Sequence, residues 1–265
     1  MESYLQTRMN LKDFLKTRLS AAQQNQLRDL VTRLRTMGYW DSLNKLAAIY
    51  KTDKWGSHFY TPHYSEHFKK LRYKKIKLLE IGVGGYDNPK LGGESLRMWK
   101  KYFPFGTIYS IDIFDKSFHE EDRIKIFKGS QVDEEFLQGL LNVTGPLDII
   151  IDDGSHINEH AIKSFKILFP SLKIGGLYVI EDTQTSYWPD YGGNSDDLHH
   201  ADTMLNFFKQ LTDCLNHKEF IRPGYIPDYF DRHIVDMHFY HNMVFIHKDK
   251  NVEESNFLKN NILPS

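Results

Sequence analysis

Short apolar runs alternate with amphipathic segments along the chain from Ile76 onward. Five runs, among them IKLLEIGVGG and LDIIIDDGSH, are nearly all apolar and end in polar residues or glycine, which is typical of buried parallel strands. ESLRMWKKYF, DEEFLQGLL and EHAIKSFKILFPSL lie between them with helical spacing, the last closed by Gly175 and Gly176. Because strands alternate with helices, we predict right-handed βαβ units and a doubly wound, mostly parallel α/β sheet.

Two more apolar runs follow a polar stretch at residues 190–197 and the helical segment ADTMLNFFKQLTDCL. They make up VDMHFYHNMVFIHK and meet at His241 and Asn242. Two runs this close together predict an antiparallel hairpin at the edge of the sheet. The complete sheet is therefore predicted to have seven strands, with the last strand antiparallel.

The first 50 residues have a helical pattern instead. Apolar residues recur every three or four positions between Leu11 and Leu19 and again between Leu27 and Leu34. Asp41 is a candidate cap for a further helix at residues 42–50. The predicted organisation is a helical extension that serves packing, oligomerisation or as a lid, residues 1–50, and a main domain, residues 51–265.

Composition excludes several classes of function. The net charge of −1 lacks the basic excess that nucleic-acid binding requires. No apolar run reaches the roughly 18 residues of a membrane span, and no signal peptide is recognisable at the N-terminus. The lone cysteine, Cys214, cannot form an internal disulfide. We therefore expect a cytoplasmic protein without nucleic-acid or membrane partners.

A glycine-rich turn follows the first predicted strand and carries Glu80, Gly82 and Gly84. Ligands of open α/β sheets bind at the carboxyl ends of the strands, and glycines let backbone N–H groups approach them. A nicotinamide dinucleotide is one alternative, but its fingerprint has glycine where Asp87 stands, and a carboxylate there repels a pyrophosphate. The turn suits S-adenosylmethionine better, because that molecule carries a sulfonium cation and no phosphate.

Further cofactor contacts are predicted at the next strand ends. Asp112 ends the second strand, where an acid can bind both ribose hydroxyls, and this feature fits either cofactor. Ser130 and Gln131 follow the third strand and are candidates to frame an adenine ring. Ser95, near the start of the first helix after the glycine turn, is a candidate contact for the carboxylate end of the cofactor.

Three acids are expected to meet at the ends of the fourth and fifth strands. Asp153 follows one strand, and Glu181 and Asp182 follow its predicted parallel neighbour. Unpaired carboxylates this close raise one another's pKa, and a hard divalent cation relieves the repulsion. Oxygen ligands favour Mg²⁺, although caps or ion pairs with lysine and arginine would also explain the acids. Asp152 should face the other side of the sheet and have a structural role.

Histidines beside these acids are candidates for proton transfer. His156 lies three residues after Asp153, and a neutral imidazole near pH 7 can accept a hydroxyl proton. His238 and His241 lie near the predicted hairpin turn, as substrate contacts or an alternative base. An aromatic and polar stretch at residues 52–64 is predicted to fold over the cofactor as a lid.

These motifs resemble the sugar O-methyltransferases of macrolide antibiotic biosynthesis. The likeness covers roughly residues 50–248 and rests on EIGVGGYDNPKLGGESLRMWKKYFP, IDIFDKS, GSQ, IIIDDGSHIN, GGLYVIEDTQTSYWP and HFYHNMVFI. It implies a class I methyltransferase fold, S-adenosylmethionine as methyl donor, Mg²⁺ or another divalent metal, and a hydroxyl of a small natural product as acceptor. It also implies a metal site of Asp153, Glu181 and Asp182, and His156 as base. The cofactor residues that it implies are Glu80, Gly82, Gly84, Tyr86, Ser95, Asp112, Ser130, Gln131 and Asp153.

The acceptor is predicted only as a class. The macrolide enzymes carry a larger domain ahead of this core than residues 1–50. We expect a sugar of a macrolide-like glycoside, or a hydroxyl of a polyketide or peptide, and a homo-oligomer that associates with a polyketide synthase. The alternatives are an NAD-dependent oxidoreductase and a methyltransferase-like scaffold without catalytic activity.

Overall fold

A computed structural model describes residues 27, 30–32, 34–39 and 41–264. The predicted helical pattern between Leu11 and Leu19 lies outside these residues. Within them, Leu27, Leu30, Val31 and Leu34 adopt helical conformation, and each side chain is at least 36% exposed. The predicted role of this segment in packing, oligomerisation or as a lid stays a prediction.

A seven-stranded sheet forms the centre of the described chain, in the order β3-β2-β1-β4-β5-β7-β6. Strands β1 to β5 are parallel, and β7 is antiparallel to both of its neighbours. This arrangement confirms the predicted sheet. The strands are β1 (Lys77–Ile81), β2 (Thr107–Asp112), β3 (Ile124–Lys128), β4 (Leu147–Asp152), β5 (Leu172–Glu181), β6 (Ile234–Tyr240) and β7 (Met243–Lys248).

Helices cover both faces of the sheet, and each face has its own apolar core. Leu43, Tyr64 and Trp99 belong to one core cluster, whereas Phe165 and Phe208 belong to the other. None of the described helices combines the length and apolar character needed to cross a membrane. The helices are α1 (Leu43–Tyr50), α2 (Thr61–Phe68), α3 (Glu94–Tyr102), α4 (Glu134–Thr144), α5 (Asn158–Leu168), α6 (Met204–Gln210) and α7 (Tyr229–His233).

Several predicted element ends were wrong. Ser42, and not Asp41, caps α1, because its hydroxyl accepts the Lys45 N–H. The helix α5 ends at Leu168, and Gly175 and Gly176 lie inside β5. The segment ADTMLNFFKQLTDCL, predicted as one helix, is α-helical only at Met204–Gln210 and continues as a 3₁₀ helix. Local propensity sets such ends weakly, and tertiary packing decides them.

The carboxyl ends of the parallel strands place the predicted functional residues at one edge of the sheet. In the register, Ile81 of β1 lies opposite Asp152 of β4, and Asp152 lies opposite Ile180 of β5. The glycine turn, Asp153 and Glu181 therefore lie side by side at the carboxyl ends of β1, β4 and β5. The turn of the β6–β7 hairpin joins this edge, since the Thr183 N–H donates to the Asn242 carbonyl over 3.2 Å.

Candidate active site

The glycine turn after β1 passes directly against the end of β4. Gly82 has a φ of 95°, and a Cβ atom there would lie 2.2 Å from the Asp153 carbonyl oxygen. Glycine is required at this position because both the backbone conformation and the close approach exclude a side chain. The Val83 N–H donates to Asp112 over 3.0 Å, which ties the turn to the end of β2. Gly84 also has a positive φ, and the Tyr86 side chain is 88% exposed.

Glu80 is completely buried beneath this turn. It accepts a hydrogen bond of 2.9 Å from the Ser95 hydroxyl at the start of α3. Its other oxygen has no hydrogen-bond partner and lies 3.3 Å from the Lys54 ammonium. Burial raises the pKa of Glu80, although Lys54 opposes this shift. This carboxylate is therefore held between Ser95 and Lys54 beside the glycine turn.

The other predicted cofactor residues line the same edge of the sheet. Asp112 also accepts the Phe114 N–H over 2.9 Å, and the Ser130 hydroxyl accepts the Val132 N–H over 3.3 Å. Gln131 is buried, donates to Asp152 over 3.2 Å and accepts the Ser155 N–H over 2.9 Å. These contacts order the loops around the turn. The proposed binding roles of these residues stay predictions.

Asp152 has the structural environment that its place on β4 suggested. It is buried and accepts a hydrogen bond of 2.6 Å from Ser164 on α5, on the opposite side from Asp153. Burial raises the pKa of Asp152, against the effect of this hydrogen bond. The alternation of adjacent strand residues explains why two neighbouring acids have different surroundings.

Lys54 lies against three of the four acids that we name the acidic cluster, namely Glu80, Asp153, Glu181 and the adjacent Asp182, which lies beside Asp153. From the sequence, Lys54 was expected only to belong to a lid. Its ammonium lies 2.7 Å from Asp153 and 2.7 Å from Glu181, and its side chain is 1% exposed. Burial lowers the pKa of Lys54, but the carboxylates of Asp153, Glu181 and Glu80 outweigh it and the pKa is raised. Lys54 therefore carries a positive charge that neutralises part of the cluster.

Two tyrosines from the same segment complete the contacts. The Tyr64 hydroxyl, on α2, donates to Glu181, and the Tyr60 hydroxyl donates to Asp182 over 2.5 Å. Burial and Asp153 raise the pKa of Glu181, against Lys54 and Tyr64. Burial also acts on Asp182, but the Tyr60 hydrogen bond and nearby histidines prevail and lower its pKa. Asp182 is accordingly the more readily ionised of the two acids.

Asp153, His156 and Asp182 form a group with the spacing of a metal site. One ligand atom from each lies within 4.8 Å of the others. His156 Nε2 is 3.5 Å from Asp182 and 4.0 Å from Asp153. His156 and Asp182 have positive φ values of 56° and 54°, and such backbone conformations concentrate at functional sites. Glu181, the third predicted ligand, is instead engaged by Lys54 and Tyr64.

The two hairpin histidines occupy different places. His241 is exposed beside Asn242, whose carbonyl contacts the end of β5. His238 pairs with Asp236 over 3.1 Å on β6, and its ring lies against His67 of α2. Their roles as substrate contacts or as an alternative base stay predictions.

Sequence reasoning missed Lys54, Tyr60 and Tyr64 as partners of the acids. The only signal was the aromatic and polar composition of residues 52–64, which suggested a lid without assigning contacts. Lys54 is separated from Asp153 by 99 positions and from Glu181 by 127 positions. Local pattern carries no information on contacts over such separations.

Comparison with known proteins finds similar O-methyltransferases. Demethylmacrocin O-methyltransferase of Streptomyces fradiae is 52% identical over 213 residues, which are 80% of this chain and 54% of that protein. A tetracenomycin rhamnosyl 2'-O-methyltransferase of Streptomyces olivaceus is 47% identical over 207 residues, 78% of this chain and 54% of that protein. The chain is a homologue of the sugar O-methyltransferases of macrolide and polyketide pathways. No protein-family model matches it.

A solved homologue has the same fold. The MycE methyltransferase of the mycinamycin biosynthetic pathway, in complex with Mg and SAH, superposes with a TM-score of 0.78 at 49% identity. The match covers 80% of this chain and 56% of that chain. The seven-stranded sheet is thus the α/β methyltransferase fold. This chain spans about half the length of the curated relatives that it matches.

Proposed function

We propose that this protein transfers a methyl group from S-adenosylmethionine to a hydroxyl oxygen with the help of Mg²⁺ or another divalent metal. The observation that carries this proposal is the meeting of Asp153, His156 and Asp182 beside the glycine turn. Asp153 follows β4 and Asp182 follows the neighbouring strand β5. The fold therefore brings these acids, His156 and the glycine turn together. The solved homologue with Mg and SAH supports the same combination.

We propose that the glycine turn forms part of the binding site for the methyl donor. Gly82 and Gly84 give the backbone room beside a ligand, and Glu80 retains an oxygen without a hydrogen-bond partner. A buried acceptor of this kind suits a donor group such as the amino end of S-adenosylmethionine. Asp112, at the end of β2, is placed to accept from the ribose hydroxyls. The remaining cofactor residues proposed are Tyr86, Ser95, Ser130, Gln131 and Asp153.

The acidic cluster fits a hard divalent cation. Three carboxyl groups, those of Glu80, Asp153 and Glu181, lie near the Lys54 ammonium, and Asp182 lies beside Asp153. Asp153 and Asp182 supply carboxylate oxygen atoms, which Mg²⁺ prefers, within 4.8 Å of one another. We propose Asp153, Glu181 and Asp182 as the metal-binding acids, with Glu181 positioned by Lys54 and Tyr64.

His156 is the proposed base. A bound divalent metal lowers the pKa of a hydroxyl beside it. His156 lies 25% exposed between Asp153 and Asp182, so it can accept the proton that the acceptor hydroxyl loses as the O–C bond forms. Its neighbouring carboxylates stabilise the imidazolium that results. The glycine turn would hold the methyl donor beside this base, and positioning of this kind would supply much of the rate gain.

The acceptor is proposed to be a hydroxyl of a sugar on a macrolide or polyketide glycoside. The relatives are named for such acceptors, and those names describe the relatives. Within this class, a polyketide or peptide hydroxyl is the broader alternative. A homo-oligomer, association with a polyketide synthase and a cytoplasmic location stay predictions.

Mass spectrometry of the acceptor tests the proposed activity. The protein, S-adenosylmethionine and Mg²⁺ are incubated with demethylmacrocin or with 8-demethyl-8-α-L-rhamnosyl tetracenomycin C. We expect at least one acceptor to gain the mass of a methyl group, and excess EDTA to abolish the gain until Mg²⁺ is restored. Full activity in EDTA would contradict the metal dependence. Binding of S-adenosylhomocysteine without turnover on any hydroxylated acceptor would favour a scaffold instead.

Replacing His156 by glutamine should slow methyl transfer by about a hundredfold, because removal of a general base costs about 10²–10⁴-fold and the metal already acidifies the hydroxyl. The affinity for S-adenosylhomocysteine, measured by calorimetry, should change little. His199→Gln is the matched control, since His199 is exposed in the loop before α6. A flatter dependence of rate on pH in His156→Gln would identify the imidazole as the titrating base. An unchanged rate would assign proton removal elsewhere.

A further inference from the structure

Three histidines meet on the face of the β6–β7 hairpin that packs against α2. We name His67, His238 and His247 the histidine cluster. One ring nitrogen of each lies within 4.8 Å of the others. The cluster is separate from Asp153, His156 and Asp182, which form a second group of candidate metal ligands.

The hairpin register brings the cluster together. Asp236 of β6 pairs with His247 of β7, and His238 pairs with Phe245 two positions further along. Residues opposite each other in an antiparallel pair point to one face, so these four side chains share a face of the sheet. His67, in the last turn of α2, closes over them, with its ring stacked on Phe245 at 4.1 Å between centroids.

Asp236 orients two of the histidines. It contacts His247 Nδ1 and lies 3.1 Å from His238 Nε2. Burial opposes ionisation, but the two histidines outweigh it and lower the pKa of Asp236. A carboxylate that holds one nitrogen of an imidazole fixes the ring and raises the basicity of the other nitrogen, as is usual behind metal-bound histidines.

The third ring is held by a different contact. His67 Nε2 lies 3.0 Å from the Tyr240 hydroxyl, and its ring centroid is 4.6 Å from that of His238. Burial is the main cause that lowers the pKa of His67, to about 4. The three imidazoles lie close together, and one oxygen of Asp236 contacts two of them.

We propose that the histidine cluster binds a divalent transition-metal ion, with Zn²⁺ as the best fit, and that Asp236 positions its ligands. Imidazole nitrogen suits Zn²⁺, Co²⁺ and Ni²⁺, whereas Mg²⁺ requires oxygen ligands. Three histidines leave a fourth position of a tetrahedral site to water. Solvent reaches the site, because the His238 side chain is 44% exposed and that of His247 is 27% exposed.

Such an ion would fasten α2 to the hairpin. Helix α2 also carries Tyr64, whose hydroxyl contacts Glu181 in the acidic cluster. The β6–β7 hairpin in turn contacts the end of β5 through Asn242. The site therefore links two elements that border the candidate active site.

Cobalt absorption spectroscopy tests the site. Protein without a polyhistidine tag is stripped of metals and titrated with Co²⁺ in excess Mg²⁺, which occupies oxygen-rich sites. We expect one equivalent of Co²⁺ to produce the intense visible bands of four-coordinate cobalt, and Zn²⁺ to displace it. The absence of such bands, or the weak bands of six-coordinate cobalt alone, would overturn the proposal.

Matched variants assign the binding to these residues. His238→Ala and His247→Ala should each weaken Co²⁺ binding at least about a hundredfold, since loss of even an outer-sphere partner costs about 10–100-fold. Asp236→Asn should weaken it about tenfold or more on the same basis. His199→Ala, an exposed histidine outside the cluster, should leave binding unchanged. Equal binding by His238→Ala and the unaltered protein would also overturn the proposal, and circular dichroism confirms that each variant is folded.

Discussion

Replacing Asp182 by asparagine should lower the rate of methyl transfer by about a thousandfold, since a catalytic metal contributes several kcal/mol and each 1.36 kcal/mol is tenfold. The substitution keeps the shape of the side chain and the oxygen that accepts from Tyr60. It removes the negative charge next to His156 and Asp153. We therefore expect metal binding and proton removal to be impaired while the fold is retained.

The rate and the cofactor affinity of Asp182→Asn are measured separately. Turnover is followed by mass spectrometry of the methylated acceptor, and binding of S-adenosylhomocysteine by calorimetry. We expect turnover to collapse, cofactor affinity to stay within about threefold and the Mg²⁺ concentration for half-maximal activity to rise. The matched control is Asp190→Asn, because Asp190 is exposed in the same loop. Turnover near that of the control would remove Asp182 from the metal site.

Replacing Lys54 by methionine should destabilise the protein by about 3–5 kcal/mol, the cost of leaving buried charges without their partner. Methionine retains the length of the side chain but removes the ammonium from Asp153, Glu181 and Glu80. Two of these acids are at most 3% exposed, so water cannot replace the lost charge. The midpoint of thermal unfolding should fall by roughly 6–20 °C for a domain of this size.

Thermal unfolding with and without Mg²⁺ distinguishes the charge effect from a packing effect. Added Mg²⁺ should restore part of the lost stability of Lys54→Met, because a cation that binds the folded state alone shifts the equilibrium. Lys70→Met is the control, since Lys70 is exposed two residues after the end of α2. If Lys54→Met unfolds at the temperature of the control, the ammonium does not hold the cluster together. Recovery with NaCl but not with Mg²⁺ would assign the effect to general screening.

The Asp182→Asn and Lys54→Met experiments both test how the negative charge of the acidic cluster is neutralised. In the proposed site, Lys54 and a divalent metal would act on the same acids, but the lysine is fixed by the chain and the metal is not. Asp153 contacts Lys54 through one oxygen, and its other oxygen is the one that faces His156. The two oxygens of one carboxylate can therefore serve the structural cation and the catalytic one together.

The amino-acid pattern alone predicts the class of fold and the edge of the sheet where the candidate site lies. Alternating apolar runs and helical segments specify a parallel sheet, because periodicity reflects which side chains each strand and helix must bury. In such a sheet β4 and β5 are neighbours, so Asp153 just after β4 and Glu181 at the end of β5 lie at the same edge. Glycines at Gly82 and Gly84 mark a turn that approaches other backbone closely, which the Asp153 contact explains.

The tertiary structure decided which side chains reach the acids from elsewhere. Lys54, Tyr60 and Tyr64 belong to a segment without a strong pattern, and their contacts with Asp153, Glu181 and Asp182 span about 100 positions or more. The histidine cluster likewise needs α2 to cross the hairpin. Periodicity records whether a residue is buried, but the choice of partner depends on how distant elements dock. That docking is a property of the packed core, and no local stretch of sequence contains it.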